Sequence, residues 1–489
     1  MKKTVVLAHK ISGIIILGAT IIFMGCIGNS PAGKQTGSYP RIEKPNILFI
    51  SVDDLRPQLG CYGNPHMKTP NIDALADEGI VFANTYCQVP TCGASRASLL
   101  TGIRPKRNRF SLTRASAQRE TPFAITLPEH LKANGYYTMS GGKIFHSNKD
   151  SFHAWSEDPI IPEKNGDHWR DYALEENRIM LREQNTGPAY ESPDAPDEIY
   201  SDGKLTQWAI SKLQESAGRD KPFFLCVGYV KPHLPFQAPK KYWDLYAEEE
   251  IRLANNPFPP LDAPPESIHN WKETRYYSNV PDTGSMPDEE ALKMIHGYYA
   301  STSFVDAQVG KLLSELKKLD LEKNTIIVLW GDHGFQLGEH GLWDKHTNYR
   351  HSLHSPLIYS IPWIKGGKTA NGLNEFIDIY PTLCELTGIS HPASLQGMSL
   401  VPLMKNPELP GKTAVFSRYQ EGNPLHGHTV RTEQYTYTEY SDQDHRIHAR
   451  MLYDVLKDPH ENINLAEIEE YSEVIEELSN ILKMIEDQS

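Results

Sequence analysis

The chain carries no excess of positive charge. Its 49 Lys and Arg stand against 62 Asp and Glu, a formal net charge of -13 with histidine neutral, which argues against a general nucleic-acid binder whose affinity comes from neutralising phosphates. It is also poor in cysteine, with six in 489 residues. Cys26 closes an N-terminal apolar run, Cys226 lies in an apolar strand pattern and Cys384 in a helical one. Only Cys61, Cys87 and Cys92 are loosely grouped, so no disulfide framework is expected, and a domain of this size needs none. There is no internal repeat and no low-complexity segment. At 39% hydrophobic and 23% charged, with 34 Gly and 35 Pro, the composition excludes collagen, wholesale disorder and a multi-span membrane protein. It describes a globular chain with ample material for a large core.

The first 26 residues are read apart from the fold. Lys2, Lys3 and Lys10 precede the uncharged run Ile11 to Met24, which is short for a spanning helix. Phe23-Met24-Gly25-Cys26 resembles a bacterial lipobox, in which the cysteine becomes the lipidated first residue; the other reading is a plain signal or uncleaved anchor. Residues 27–44 read as a flexible tether. The expected location is the bacterial cell envelope, periplasm or cell surface, with a lipid anchor at Cys26.

From residue 45 the pattern alternates strand and helix. Asn46 to Val52 is a near-continuous apolar run bounded by Pro45 and Asp53-Asp54, as expected of a strand buried on both faces. Thr69-Pro70 opens a helix through Glu78, Leu127 to Asn134 forms another, and Tyr136 to Ser140, Phe223 to Val230 and Thr325 to Trp330 read as further strands. Phe304, Val305, Val309, Leu312, Leu313 and Leu316 recur at helical spacing. Such alternation predicts an α/β fold with a mostly parallel sheet sandwiched by helices. The long irregular stretches near 147–200 and 237–290 read as insertions at the sheet edge or site mouth. Residues 45–405 are assigned to this domain. Residues 406–489, with short alternating segments and an acidic amphipathic helix, read as a small C-terminal α+β domain.

In an open parallel sheet, ligands collect at the carboxyl ends of the strands. Four strands end there on ionisable groups: Asp53-Asp54, then Lys143 and His146, then Lys231-Pro232-His233, then Asp332-His333. Taken singly, each is ordinarily a cap or turn former. Their joint occurrence at one edge points to a site. Asp53, Asp54 and Asp332 supply three hard carboxylates suited to Ca²⁺ or Mg²⁺, with His333 alongside, whereas zinc would ask for more histidine and thiolate. Between Cys92 and Arg119 lie seven Lys/Arg and no acid. In so acidic a chain this is read as an anion-recognition element, helped by a helix beginning at Ser95.

Cys92-Gly93-Ala94-Ser95-Arg96, followed by Leu100-Thr101-Gly102, resembles the type I, formylglycine-dependent sulfatase signature. Ala94 stands where proline is more usual. The resemblance extends from Lys44 through Gly331-Asp332-His333-Gly334 to the C-terminal Leu452-Tyr453-Asp454 region. It is closest in pattern to the iduronate-2-sulfatase group, through Gly142 to His146, Lys231 to Phe236 and Gly338 to Trp343 followed by Lys345.

This resemblance implies an alkaline-phosphatase-like fold and a sulfuric ester hydrolase. It implies that a maturation enzyme oxidises Cys92 to formylglycine, whose hydrated aldehyde is the nucleophile. It further implies that Asp53, Asp54, Asp332 and His333 hold one Ca²⁺ together with an oxygen of modified Cys92. Arg96 and Lys143 would steady the diol and the sulfate, His146 would act as base, His233 would protonate the leaving alcohol, and Lys345 would bind sulfate. The expected substrate is a glycosaminoglycan oligosaccharide bearing 2-O-sulfated uronic acid, its carboxylate met by Lys345, His346, Arg350 and the basic stretch. The alternatives are a sulfatase for another sulfated polysaccharide, a phosphoester hydrolase of the same fold, or a catalytically silent glycan binder.

Overall fold

A computed structural model describes residues 42–161, 169–420 and 424–488. The expected signal, most of the tether and Cys26 lie outside these residues. Strand β1 (Asn46–Val52) is an interior strand of a seven-stranded sheet, and all seven of its residues are buried. Strands β2 (Ile80–Phe82), β3 (Tyr137–Gly142), β4 (Phe223–Tyr229), β5 (Thr325–Gly331), β6 (Leu357–Ser360) and β7 (Lys368–Ala370) complete it in the order β7-β2-β6-β5-β1-β4-β3. Every neighbouring pair is parallel except those made by β6, which runs antiparallel to both β5 and β2.

The near-continuous apolar run of β1 is explained by what lies on its two faces. Ile47 and Phe49 join one core cluster, where the Phe49 ring centroid is 5.7 Å from Phe224 and 5.5 Å from Trp330. Leu48, Ile50 and Val52 join the other. The first face is covered by helices α2 (Cys92–Thr101) and α6 (Ile379–Thr387). The second is covered by α1 (Pro70–Glu78), α4 (Ser201–Ser216) and the 31-residue α5 (Asp288–Lys318). Helix α3 (Leu127–Ala133) leads into β3. In α5 five of the six residues of the expected stripe, Phe304, Val305, Val309, Leu312 and Leu316, are buried, while Leu313 is half-buried, and the helix extends well beyond the stripe at its N-terminal end.

A four-stranded antiparallel sheet, β8 (Val415–Tyr419), β9 (His426–Arg431), β10 (Tyr435–Ser441) and β11 (Ile447–Asp454), forms the C-terminal part. Helix α7 (Ser472–Gln488) places Leu478 and Leu482 against Val430, Tyr437 and Leu452. The five described cysteines are all free thiols.

Helix α2 begins at Cys92, three residues before the expected start at Ser95. Thr91 is extended, with φ -154°, and its carbonyl accepts the Ser95 N–H at 3.0 Å, so the first helical turn already contains Cys92. The sequence Cys-Gly-Ala has no strong N-terminal signal of its own. It is the tertiary packing that fixes the start, since all ten residues of the helix are buried. A Cβ at Gly93 would lie 1.8 Å from the Thr113 carbonyl oxygen.

Phe49→Ala removes a ring that bridges β4 and β5 at the middle of the sheet. It is expected to lower unfolding free energy by about 3–5 kcal/mol, read as a lower urea midpoint with the slope of the transition unchanged.

Candidate active site

Because β1 lies between β4 and β5, with β3 next to β4, the carboxyl ends of four parallel strands open onto one place. Asp53 is the first residue after β1 and Asp54 follows in the left-handed region, with φ +58°. Successive side chains of a strand point to opposite faces; the turn at Asp54 lets both carboxylates enter one site, and Asp53 and Asp54 are fully buried there.

Arg96, at the first turns of α2, joins these ends. Its Nε donates to Asp332 Oδ2 at 2.9 Å and its Nη2 to Asp53 Oδ1 at 3.0 Å. Its Nη1 donates to Ser51 Oγ at 3.1 Å and to the carbonyls of Lys143 and Ile144. The guanidinium lies over Trp330, 5.5 Å from the ring centre. Lys143 Nζ is paired with Asp53 Oδ2. Lys345 Nζ lies 3.0 Å from Asp54 Oδ2 and 2.9 Å from Glu273. The Asp54 N–H donates to Asp332 Oδ1 at 3.1 Å.

These pairings set the charge states. Burial pushes the Asp53 carboxyl up, but Lys143 and Arg96 outweigh it and hold the group well below the usual carboxylate range. For Asp332 burial prevails over Arg96, and the carboxyl is raised. Burial opposes charge on Lys345, yet Asp54 and Glu273 raise its ammonium well above the ordinary value. The Cys92 thiol is pushed well up by burial and by Asp53, so at neutral pH it is a protonated, poorly nucleophilic thiol.

His333 directs its Nδ1 at the Gly334 carbonyl, 2.9 Å away, and its Nε2 at Cys92 Sγ, 3.3 Å away, with Asp54 Oδ1 at 3.5 Å and Asp332 Oδ2 at 3.6 Å. An imidazole whose Nδ1–H is committed to a carbonyl presents an Nε2 lone pair to a metal. Ligand atoms from Asp53, Cys92, Asp332 and His333 all lie within 4.8 Å of one another, as do those of Asp53, Asp54, Cys92 and His233. Carboxylates in such number at one buried point are the donor set of a hard divalent cation.

His233 has the same arrangement, with Nδ1 at the Leu234 carbonyl (2.7 Å) and Nε2 at Glu273 Oε1 (3.0 Å). Its loop is pinned from below. Lys231 Nζ donates to the carbonyls of Trp169, His233 and Pro235, and Asp202 accepts the backbone N–H groups of Val230 and Lys231. His146 is close enough to feel Lys143, Asp53 and His233; burial and then Lys143 lower its imidazole to about 3, so it is neutral and, in this charge state, a weak base. All ten proposed positions thus come together: Asp53, Asp54, Cys92, Arg96, Lys143, His146, His233, Asp332, His333 and Lys345.

Glu273 is the residue that sequence reasoning did not single out. It touches Lys345, His233 and His346, the last at 3.1 Å; burial pushes its carboxyl up, but Lys345 first, with help from the two imidazoles, holds it well below the usual range. Its segment has no periodicity and reads from the sequence only as an irregular insertion at the site mouth. The basic stretch after Cys92 behaves differently from expectation. Arg96 reaches the carboxylates, but Arg104 pairs with Glu375 at 2.5 Å, Arg107 donates to Ser441 and the Asp442 carbonyl, and Arg109 donates to the Arg104 carbonyl. The loop turns away from α2 after Gly102, which adopts a left-handed φ of +67°, and carries these side chains toward the C-terminal sheet.

The sulfatase family model matches residues 45–389, and the model for the C-terminal part of N-sulphoglucosamine sulphohydrolase matches residues 338–488. Iduronate 2-sulfatase of Homo sapiens is 31% identical, over 92% of this chain and 96% of its own. The solved structure of a 2-O GAG sulfatase is similar at 25% identity and a TM-score of 0.67, covering 91% of this chain and 92% of that one. A protein solved with its substrate D-glucosamine-2-N,6-O-disulfate shares the fold, with a TM-score of 0.74 at 24% identity over 91% of this chain and 98% of that one. The expected alkaline-phosphatase-like α/β fold with its C-terminal sheet is therefore borne out, and with the family model spanning the strand ends that gather Cys92 and its carboxylates, the chain belongs to the sulfatase family.

Proposed function

We propose that this sulfatase removes the 2-O-sulfate of uronic acid residues, iduronate or its unsaturated counterpart, from glycosaminoglycan oligosaccharides. In this reading Cys92 is converted to formylglycine by a maturation enzyme. One Ca²⁺ is held by Asp53, Asp54, Asp332 and His333 with the side chain at position 92. The observation that carries it is the placement of Cys92 Sγ 3.3 Å from His333 Nε2, among buried carboxylates and beside Lys143, Arg96 and Lys345. The iduronate preference is supported by the human relative of that name. The site also already accommodates a carboxylate: Glu273 sits beside the Lys345 ammonium and the imidazoles of His233 and His346, a setting that suits a uronate. Lipid anchoring at Cys26 in a bacterial envelope belongs to the same proposal and rests on the N-terminal sequence.

A hydrated formylglycine supplies a hydroxyl nucleophile for sulfur at a position where the thiol itself is held protonated. A bound Ca²⁺ supplies electrostatic stabilisation of sulfate oxygens. The side chains divide the rest. Arg96 fixes Asp53 and Asp332 relative to α2 and so sets where the side chain at 92 stands. Lys143 and Lys345 flank that point and offer fixed positive charge to oxygens whose charge grows in the transition state. His233, its Nδ1 committed to Leu234, has Nε2 free to carry a proton toward a leaving alkoxide once Glu273 yields that position. We assign to His146 the acceptance of a proton from the nucleophilic residue when sulfate is released, a role that requires its basicity to rise from the low resting value, as an anion bound beside Lys143 would make it do.

Peptide mass spectrometry of protein from the native host should find position 92 as an aldehyde, whereas an intact thiol in fully active enzyme would falsify the mechanism. Cys92→Ala should abolish turnover without lowering the melting temperature, and His233→Ala should reduce kcat by roughly 10²–10⁴ on substrates with a poor leaving group. Elemental analysis should return one calcium per chain. Asp53→Asn should reduce metal content and activity together, because the ion is left under-neutralised; two zinc ions with no calcium would rule this site out. Sulfate release from 2-O-sulfated uronate disaccharides should weaken as ionic strength rises. Equal or faster release from 6-O-sulfated hexosamine would place the substrate elsewhere.

A further inference from the structure

Between the loop after α2 and the C-terminal sheet lies a cavity of about 610 Å³, closed on its far side by the last turns of α7. None of the ten residues gathered at the strand ends lines it. Its wall carries an unusual concentration of guanidinium groups whose partners are mostly uncharged. Arg107 donates to the Asp442 carbonyl and to Ser441 Oγ, both at 2.7 Å, while its Nε is buried with no hydrogen-bond partner among the described residues. Arg418 meets the Pro105 carbonyl at 3.4 Å and His428 Nε2 at 2.9 Å. Of the three acids in the lining, Glu439, Glu486 and Asp487, Glu486 is engaged by His428 Nδ1 at 2.5 Å and Glu439 accepts from the Tyr437 hydroxyl, against the five cations Arg104, Lys106, Arg107, Arg418 and Lys483. Lys106 and Lys483 line the same cavity.

The electrostatic strain is visible in Arg418. Burial pulls its guanidinium down to about 10; Glu486 opposes the shift, and Arg107 and Arg109 add to it through like-charge repulsion. A guanidinium is planar and forked, and matches sulfate or carboxylate oxygens two at a time. The cavity also presents Ile447 and the edge of Phe416, whose ring lies under the Arg104 guanidinium at 5.2 Å, a small apolar surface against which a sugar ring can rest. Its volume falls in the range of small-ligand sites. Arg418 and Tyr419 are neighbours on β8 and so point to opposite faces of the sheet: Arg418 lines the cavity, while the Tyr419 hydroxyl lies 3.0 Å from His346 Nδ1 on the side of the catalytic centre, so the two sites lie on either side of one strand.

We propose that this cavity is a second saccharide site, which binds a sulfated or uronate-bearing sugar unit of the polymer other than the one being desulfated. The proposal rests on the reading of the protein as a glycan sulfatase. It gives the basic stretch after Cys92 a role in holding the chain, separate from sulfur chemistry, and it makes affinity depend on substrate length.

The test compares a disaccharide and an octasaccharide of alternating 2-O-sulfated uronate and hexosamine. Arg418→Ala and Lys483→Glu are used as variants, the latter at an exposed position where folding is indifferent to the change. Both should raise KM for the octasaccharide about tenfold and leave kcat and the disaccharide kinetics unchanged. Equal effects on the two substrates, or none, would overturn the proposal. Calorimetric binding of the octasaccharide to Cys92→Ala protein, with and without each cavity substitution, reads the site without turnover. If the parent enzyme cleaves neither substrate, the assigned substrate is wrong, while loss of octasaccharide binding on Arg418→Ala still supports the cavity and unchanged binding still rejects it.

Discussion

The active site depends on one buried guanidinium. Arg96 is wholly inside the protein and bonds the ends of β1 and β5, through Asp53 and Asp332, and the carbonyls that follow β3. Three strand ends and helix α2 are thereby fixed by a single planar group with its donors in a rigid fork. Lysine could satisfy one of these partners but not all of them. Removing one member of such a cluster would leave an uncompensated charge in a region of low dielectric, a loss of about 3–5 kcal/mol when a buried ion pair is broken.

Around this hub the charges are arranged in alternation. Asp53 lies between Arg96 and Lys143, Asp54 faces Lys345, and Lys345 faces Glu273, which in turn meets two histidines. Each charge is tolerated in the interior because an opposite one is within hydrogen-bonding distance. Such a lattice is stiff, and it holds ready-made cationic positions toward an incoming anion without requiring rearrangement in the step itself.

Much of this was legible in the sequence because parallel sheets concentrate function at one edge. A continuous apolar run such as Asn46 to Val52 identifies a central strand, and the residue after it is then a site residue by topology. What was not legible has physical reasons. Glu273 lies in a stretch without periodicity, flanked by Trp271 and Tyr276, and its partners are far away in sequence. The start of α2 is dictated by packing, not by a capping residue. The cations after Gly102 carried the right charge but no information about direction; the left-handed turn there sends Arg104 to Glu375 and Arg107 to the C-terminal sheet.

The burial of α2 has a consequence for the order of events in the life of the molecule. Cys92 is 2% exposed, Gly93 is held against the Thr113 carbonyl, and every other residue of the helix is buried. No enzyme can present its own active site to a side chain so enclosed. Any covalent alteration of Cys92 by another protein therefore has to be completed while this stretch is still extended, in competition with the collapse of the sheet around it. If Cys92 is matured as proposed, the fraction of competent molecules is set by a race between two rates, modification of this stretch and closure of the core around it.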